Sequence, residues 1–329
     1  MQGNLMIRKI KLIKYLQSDY RGLKRRIRVF MNPELVFIIL NYLNYELTIR
    51  SVRSILDNIV YDNYLILVVD NNSPNESYKV LSEAFSEENR VILIKNNKNN
   101  GYSGGNNFGL KFIEKHFPEC KYVAICNPDV SFFPSTNLEL LINKLESEPE
   151  LAAISPLQIL DGQLDFRIVA WKLPKGLDDL ILNFSIIDRI VGKVSYRKFK
   201  ITDKKIAYVD VLPGSFFIIK FDVFKEIGFF DENTFLYCEE RIVAKKLKEK
   251  GFKQALDFET FYLHFHGHKS FRLVDRIKNY NHLLRSRIYY NLKYNGKTGK
   301  FVAGMLYFLY PVKLLEILSV HILKLFKKE

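Results

Sequence analysis

The chain has few cysteines and lacks the patterns of an exported or repetitive protein. Its three cysteines are scattered and include no CxxC pair, which argues against a zinc ribbon or a disulfide framework and indicates a reducing compartment. No internal repeat or low-complexity tract is present. Cations such as Arg8 and Lys14 interrupt every apolar run near the N-terminus, so no signal-peptide pattern forms and we expect a protein that is not exported.

Negative charge is scarce near both ends of the sequence. The formal net charge is +14, and residues 1–30 contain Asp19 as their single acid among many cations. The stretch after Phe271 is also rich in Lys and Arg. Such an imbalance indicates nucleic acid or an anionic membrane as a partner. No nucleic-acid reading module can be recognised, whereas apolar residues interleave with the charges, so we expect an anionic membrane surface and no nucleic acid.

Apolar runs of strand length alternate with helical segments from residue 35 onward. The runs at 35–40, 65–69, 91–94 and 122–126 predict strands, and the segments between them have helical character. This alternation predicts an α/β fold with a mostly parallel central sheet flanked by helices. Residues 101–107, rich in glycine and asparagine, are expected to form a flexible loop before a helix at 108–117.

Basic segments flank this α/β domain. We divide the chain into a basic amphipathic N-terminal helical extension (1–33), the α/β domain (34–270) and basic, apolar C-terminal helices (271–329). Residues 301–326 are apolar, but Pro311, Lys313 and Glu316 make them a poor spanning helix, since about 20 uninterrupted apolar residues are needed. We expect a helix pair lying on a membrane surface. Helices packed on the domain are the alternative.

Acidic residues directly follow two of the predicted strands. Asp70 ends the run at 65–69 and is followed by Asn71 and Asn72, while Asn127-Pro128-Asp129 follows the run at 122–126. In open α/β sheets the carboxyl ends of strands border the crevice that binds ligands. An acid with asparagine at two such ends indicates a phosphorylated ligand bridged by Mg²⁺ or Mn²⁺, which prefer oxygen ligands. Each acid alone would be an ordinary turn residue.

Six segments in order resemble the family 2 glycosyltransferases, which have the GT-A fold, and specifically their rhamnosyltransferase-like branch of bacterial surface polysaccharide synthesis. The segments are 38–42, 68–73, 99–107, 127–130, 212–215 and 228–240. The resemblance implies an inverting enzyme that moves a sugar from a nucleotide diphosphate sugar, with dTDP-rhamnose or a UDP-sugar favoured, to a lipid-linked glycan acceptor. It also implies a divalent cation and a place on the cytoplasmic, inner face of the cell membrane.

The resemblance implies roles for individual residues of the donor site. Asn127-Pro128-Asp129 matches the DxD motif of the family, with Asn replacing the first acid, so Asp129 would hold the cation. Gly104 and Gly105 would let the backbone approach the nucleotide closely. The full set expected to bind the nucleotide sugar is Asn41, Tyr42, Asp70, Asn72, Gly104, Gly105, Asn106 and Asn127.

Glu239-Glu240 matches an acidic pair that the family carries at the start of a helix. The resemblance implies that the second acid, Glu240, deprotonates the acceptor, and the helix N-terminus is expected to favour its carboxylate form. The sequence departs from the commoner pattern, because Glu replaces Asp at this position and Ile242 stands where another Asp is frequent. Glu239 therefore remains open as the base.

Three histidines follow the last predicted strand of the domain. Alternation along an extended chain would place His264, His266 and His268 on one face. The resemblance implies that a histidine here completes the metal shell or contacts the diphosphate, and His264 matches the family spacing best, followed by His266. A zinc site is the alternative interpretation, although no thiolate or acid stands at ligand spacing.

Two other functions compete with transfer of a sugar. A nucleotidyltransferase would also use strand-end carboxylates and a divalent metal, but it would be expected to carry a glycine-rich basic loop after the first strand, and 41–45 has neither property. A non-catalytic, basic membrane-binding protein would leave the acids at the strand ends unexplained.

Overall fold

The computed structural model describes residues 32–185, 187, 191–192, 194–265 and 272–326. Almost all of the predicted extension 1–33, together with His266 and His268, lies outside these described residues. The strands are β1 (Leu35–Asn41), β2 (Ile59–Val60), β3 (Tyr64–Asp70), β4 (Val91–Lys95), β5 (Tyr122–Cys126), β6 (Val130–Phe132), β7 (Thr136–Asn137), β8 (Leu151–Leu160), β9 (Ile206–Val209), β10 (Phe216–Lys220) and β11 (Lys253–His264). The helices are α1 (Tyr45–Asn58), α2 (Ser77–Ala84), α3 (Gly101–His116), α4 (Leu138–Glu146), α5 (Asp178–Leu182), α6 (Phe221–Glu226), α7 (Glu239–Glu249), α8 (Leu273–Tyr294), α9 (Gly299–Phe308) and α10 (Tyr310–Phe326).

One mixed sheet organises the molecule, with the strand order β4-β3-β1-β5-β10-β8-β11-β6 and β9 paired with β11. The first four strands are parallel, as predicted. β10 is antiparallel to both of its neighbours, whereas β8 and β11 run parallel to each other and restore the first direction. β6 and β9 are antiparallel to β11. Most strands therefore share one direction, and their carboxyl ends meet at one edge.

Strands β1 and β3 are apolar on both faces because helices cover both sides of the sheet. Val36 and Ile38 of β1 belong to the core cluster that contains residues of α3. Phe37 and Ile39 point to the opposite face, into the cluster that contains residues of α1. All seven residues of β3 are buried. The two cores hold the strand ends in fixed register.

Helix α3 corrects one sequence expectation, since residues 101–107 form its first turns and are not a loop. The glycines made this segment resemble a loop, but they let the helix lie close to the sheet. A Cβ atom on Gly105 would be 2.5 Å from Leu40 Cδ1, and one on Gly109 would be 3.1 Å from Val69 Cγ2. The helix gains this packing, which offsets the low helix propensity of glycine.

The C-terminal helices form a small core of their own beside the domain. Tyr280 and Leu284 of α8 pack with Val302, Leu306 and Ile317 of the following helices. Within the described residues, no single helix is long and apolar enough to cross a membrane, although Gly296–Phe308 and Tyr310–Leu323 pass that length and composition test as a pair bent by 52°. The predicted helix pair is present as α9 and α10, and its position on a membrane surface stays a prediction.

Candidate active site

A closed hydrogen-bond network occupies the ends of β1 and β3. Asn41 Nδ2 donates to Asp70 Oδ1 at 2.8 Å, and the Ser73 backbone N–H donates to Asp70 Oδ2 at 3.1 Å. Thr48 Oγ1 donates to Asn41 Oδ1 at 2.9 Å. Asn41 and Asp70 are both fully buried. Their side chains thus shape the floor of the strand-end region, and their predicted contact with a nucleotide stays a prediction.

A cavity of about 520 Å³ opens at this same edge of the sheet. Its lining includes Leu40, Tyr42, Asn71, Asn99, Gly101, Tyr102, Asn127, Asp129, Phe235, Lys278, Asn279 and His282. The structure therefore brings the predicted residues Tyr42, Asn127 and Asp129 together. Asn71, which was not predicted to bind the ligand, lines the cavity. The predicted Asn72 beside it is exposed and has a φ of 58°.

Three other residues predicted to bind the nucleotide sugar, Gly104, Gly105 and Asn106, lie in the first turns of α3 and are not part of the cavity lining. A Cβ on Gly104 would be 2.5 Å from Asn100 Cβ, and a Cβ on Gly105 would be 3.0 Å from Asn71 Nδ2. Asn106 Nδ2 donates to the Tyr102 carbonyl at 3.0 Å. These contacts give the segment a packing role that sequence reasoning missed, and its contact with a nucleotide stays a prediction.

Asp129 and His264 meet at one corner of the cavity. Backbone pairing of β6 with β11 brings His264 opposite Val130, and His264 Nε2 lies 3.3 Å from Asp129 Oδ1. This carboxylate oxygen is buried and accepts no hydrogen bond within the described part of the chain. No group of three or more His, Cys, Asp or Glu side chains is placed to hold a metal among the described residues. Two protein ligands fit a cation completed by substrate oxygens better than a closed zinc site.

Glu239 and Glu240 begin α7, next to the cavity. Tyr102, which lines the cavity, donates its hydroxyl to the Gly214 carbonyl at 2.8 Å, and a Cβ on Gly214 would be 2.4 Å from Glu240 Oε1. Burial, followed by the nearby Glu240 carboxylate, raises the pKa of Glu239 to about 8. Burial also raises the pKa of Glu240. The backbone N–H of Glu240 lowers this pKa, but desolvation is the larger effect, and the expected influence of the helix N-terminus stays a prediction.

Helix α8 supplies a wall of the cavity that sequence reasoning assigned to a separate C-terminal part. Lys278, Asn279 and His282 lie along this wall, and the His282 ring stacks on Phe235 at 5.1 Å between ring centroids. Ser286 Oγ donates to the Leu236 carbonyl at 2.8 Å. No strand-end pattern marks these residues, so the only available signal was the amphipathic spacing of the helix.

The fold and this strand-end cleft define a sugar-transferring enzyme of the GT-A type. The sequence pattern described as Glycosyl transferase family 2 matches residues 36–228, which is more than half of the chain. The protein belongs to the family 2 glycosyltransferases. This membership decides against the nucleotidyltransferase and the non-catalytic alternatives.

Similar proteins agree with this assignment. The chain is 26% identical over 215 residues to the low-salt glycan biosynthesis hexosyltransferase Agl10 of Haloferax volcanii, a match that covers 65% of this chain and 62% of that relative. The mannosyltransferase PcManGT from Pyrobaculum calidifontis, solved with GDP-Man and Mn²⁺, has a TM-score of 0.54 at 13% identity and covers 93% of this chain and 84% of its own. GalNAc-T7, solved with UDP, GalNAc and Mn²⁺, has a TM-score of 0.56 at 13% identity, and the match covers 79% of this chain and 50% of GalNAc-T7. Both structures support the GT-A fold.

Proposed function

We propose that this protein transfers a single sugar, with inversion, from a nucleotide diphosphate sugar to a lipid-linked glycan acceptor. The observation that carries the proposal is that the glutamate pair lies beside the cavity that Asp129 lines, because Tyr102 of the lining donates to Gly214, which lies against Glu240. A diphosphate site and a proton acceptor held close together are what a direct displacement at the anomeric carbon requires. The relatives that bind GDP-Man or UDP support a nucleotide sugar as donor.

Asp129 and His264 are the residues that would hold a divalent cation, Mg²⁺ or Mn²⁺. The buried Asp129 oxygen without a hydrogen bond could serve as an oxygen ligand, and the His264 imidazole beside it could supply a nitrogen ligand. His266 remains a predicted third ligand. A bound cation would neutralise the charge that develops on the departing diphosphate. Mn²⁺ in the two similar structures supports this choice of cofactor.

Glu240 is the proposed general base. The acceptor oxygen forms a bond to the anomeric carbon while the bond from that carbon to the diphosphate oxygen breaks, and the hydroxyl proton passes to the Glu240 carboxylate. A raised pKa suits this role, because a base is most effective when its pKa lies near the working pH. Glu239, whose pKa is raised to about 8, is the competing base.

Calorimetric titration with UDP-glucose, UDP-N-acetylglucosamine, dTDP-rhamnose and GDP-mannose tests the donor site. We expect one nucleotide class to bind in the presence of Mg²⁺ or Mn²⁺ and to lose affinity with chelator and in Asp129→Ala. Asp57→Ala is the matched control, because Asp57 is an exposed carboxylate on α1. A folded protein that binds none of the four donors would contradict the proposal.

The proposed acceptor is lipid-linked because α9 and α10 present a broad apolar surface. Tyr307 and Phe308 are 76% and 74% exposed, and Leu315 and Leu323 are also exposed. An apolar helical face with nearby lysines is typical of helices that lie on anionic membranes. We propose that this surface holds the enzyme peripherally on the cytoplasmic leaflet, where the acceptor would be reached.

Sedimentation with phosphatidylglycerol vesicles tests this surface. Tyr307→Ser with Phe308→Ser is expected to remove most of the vesicle-bound fraction, whereas Val60→Ser, at another exposed apolar position, is expected to leave it unchanged. Equal binding of both variants would contradict the proposed surface.

A further inference from the structure

The backbone that leads into α7 adopts an unfavourable conformation directly before the glutamate pair. Tyr237 and Cys238 have φ values of 72° and 70°, in the left-handed region that side chains other than glycine rarely adopt. Helix α7 also begins without a side-chain hydrogen bond at its N-cap. Such strain persists only where surrounding contacts determine the conformation. The first turn of α7 must therefore be held by other parts of the molecule.

A buried ion pair connects this turn to the rest of the molecule. Arg241, one residue after Glu240, donates from Nη1 to both carboxylate oxygens of Asp179 on α5, at 2.8 and 3.1 Å. The two side chains are 11% and 1% exposed. Asn291 Nδ2 of α8 donates to Asp179 Oδ2 at 2.7 Å. The pair thus joins α7 to α5 and, through Asn291, to α8, at a point directly beside the proposed base.

Arg287 of α8 shares the same carboxylate, and its side-chain hydrogen bond runs to α5. Its Nε lies 3.6 Å from Asp179 Oδ1, and its Nη1 donates to the Leu182 carbonyl at 3.2 Å. Two buried guanidinium groups therefore surround one carboxylate. Removing either arginine leaves Asp179 with one cationic partner, so neither change strands an unpaired buried carboxylate. This arrangement offers two variants of equal chemistry, only one of which removes a side chain of α7.

We propose that the Asp179–Arg241 ion pair positions the first turn of α7, and with it Glu239 and Glu240, for proton transfer from the acceptor. This inference rests on the proposed transferase function. Arg241 is a positioning residue, since it acts through the glutamates beside it. A displaced carboxylate would still leave the donor side of the cleft intact, so the expected loss is in turnover and not in donor affinity.

The charge of Arg241 also acts on the glutamates. It lowers the pKa of both Glu239 and Glu240 against the larger effect of burial. Among the described residues, the other titratable or charged groups near the glutamates and Arg241 include Tyr102 of α3, Tyr237, Cys238, Asp179 of α5, and Arg287 and Tyr290 of α8. Loss of the Arg241 cation is therefore expected to move the acidic limb of the kcat profile to higher pH. A defect in folding alone would not produce that shift.

The test compares Arg241→Met with Arg287→Met in the full chain. The assay follows nucleoside diphosphate release from the donor that the wild type accepts, with polyprenyl-diphosphate N-acetylglucosamine in vesicles as acceptor. Arg241→Met is expected to lower kcat by about ten- to a hundredfold with the donor KM changed by less than about twofold, and to shift the acidic limb upward. Arg287→Met is expected to keep kcat within about threefold. Arg241→Lys should return the acidic limb toward its wild-type position.

Each outcome decides the question. Equal losses of kcat in the two methionine variants, or an unshifted acidic limb in Arg241→Met, would overturn the inference, and urea unfolding of both variants separates lost activity from lost structure. A wild-type protein that binds no donor and releases no nucleotide would overturn the proposed function and this inference with it. If the wild type transfers the sugar and the two methionine variants lose equal kcat, the inference alone would be overturned.

Discussion

The carboxylate of Asp70, at the end of β3, accepts hydrogen bonds from Asn41 and from the backbone of Ser73, whereas Glu239, at the start of α7, keeps one buried carboxyl oxygen without a hydrogen bond in the described chain. Both side chains are buried beside the same cleft. Burial raises the pKa of Glu239 to about 8, so this group can exchange a proton near neutral pH. A fully bonded carboxylate maintains a framework, while one with missing partners is suited to proton chemistry.

The largest effect is expected at the glutamate pair, which forms the reactive side of the cleft, whereas Asp70 belongs to its framework side. Glu240→Gln should lower kcat by about 10²–10⁴-fold while donor affinity is unchanged, because the amide cannot accept the acceptor proton. Steady-state kinetics with calorimetry of donor binding measures both quantities. If Glu239→Gln loses turnover and Glu240→Gln does not, Glu239 is the base.

The next largest effect is expected where Gly101 of α3 contacts Phe235, in the segment that leads into α7. Gly101, at φ 72°, lies against Phe235, and a Cβ there would be 2.0 Å from the Phe235 carbonyl oxygen. Gly101→Ala should lower the free energy of unfolding by about 1–2 kcal/mol for the left-handed conformation and by about 1–3 kcal/mol more for the contact. Gly228→Ala is the control, because Gly228 has a φ of 73° and nothing within 4 Å. Equal losses in chemical denaturation would show that the contact has no effect.

On the framework side, Asp70→Ala should lower the free energy of unfolding by about 1–3 kcal/mol. The substitution removes the acceptor of the Ser73 N–H and one of the two acceptors of the buried Asn41 amide, which also donates to Ser73 Oγ. Asp57→Ala, on the exposed side of α1, should change the same free energy by less than about 0.5 kcal/mol. Urea unfolding of the two variants gives the comparison, which fails if they lose equal stability.

Per pH unit, the smallest effect is a pH dependence of stability. The pKa of Glu239 is raised in the folded state from the ordinary 4.5 to about 8, so its contribution is fully present below about pH 4.5 and is lost as the pH rises toward 8. The free energy of unfolding should therefore fall through this window by at most about 1.4 kcal/mol per pH unit. Glu239→Gln should flatten the dependence. An unchanged slope in that variant would assign it to other groups.

Local patterns in the sequence predict the framework side of the cleft better than the reactive side. Asp70 and Asp129 follow continuous apolar runs, and both stand at carboxyl ends of strands. The segment at 101–107 was predicted as a loop because glycine is a poor helix former, and the close packing of Gly105 on Leu40 that overrides this preference joins distant parts of the chain.

The reactive side depends on contacts that have no local signal. Nothing in the spacing of residues 172–182 indicates that Asp179 pairs with Arg241 at the start of α7. Likewise, Lys278 and His282 belong to a helix that composition assigns to membrane contact, yet they line the cavity. Buried ion pairs and helix docking are set by tertiary structure, which periodicity alone does not reveal.

Strand β10, placed antiparallel between β5 and β8, has a consequence for how the chain folds. The Asn127 N–H donates to the Ser215 carbonyl at 2.8 Å, directly before β10, and Val130 pairs with His264 at the end of β11. Contacts of such long sequence separation form late and slowly. During synthesis, the first four parallel strands can assemble early, but the ribosome must release the chain through His264 before Asp129 meets its imidazole partner.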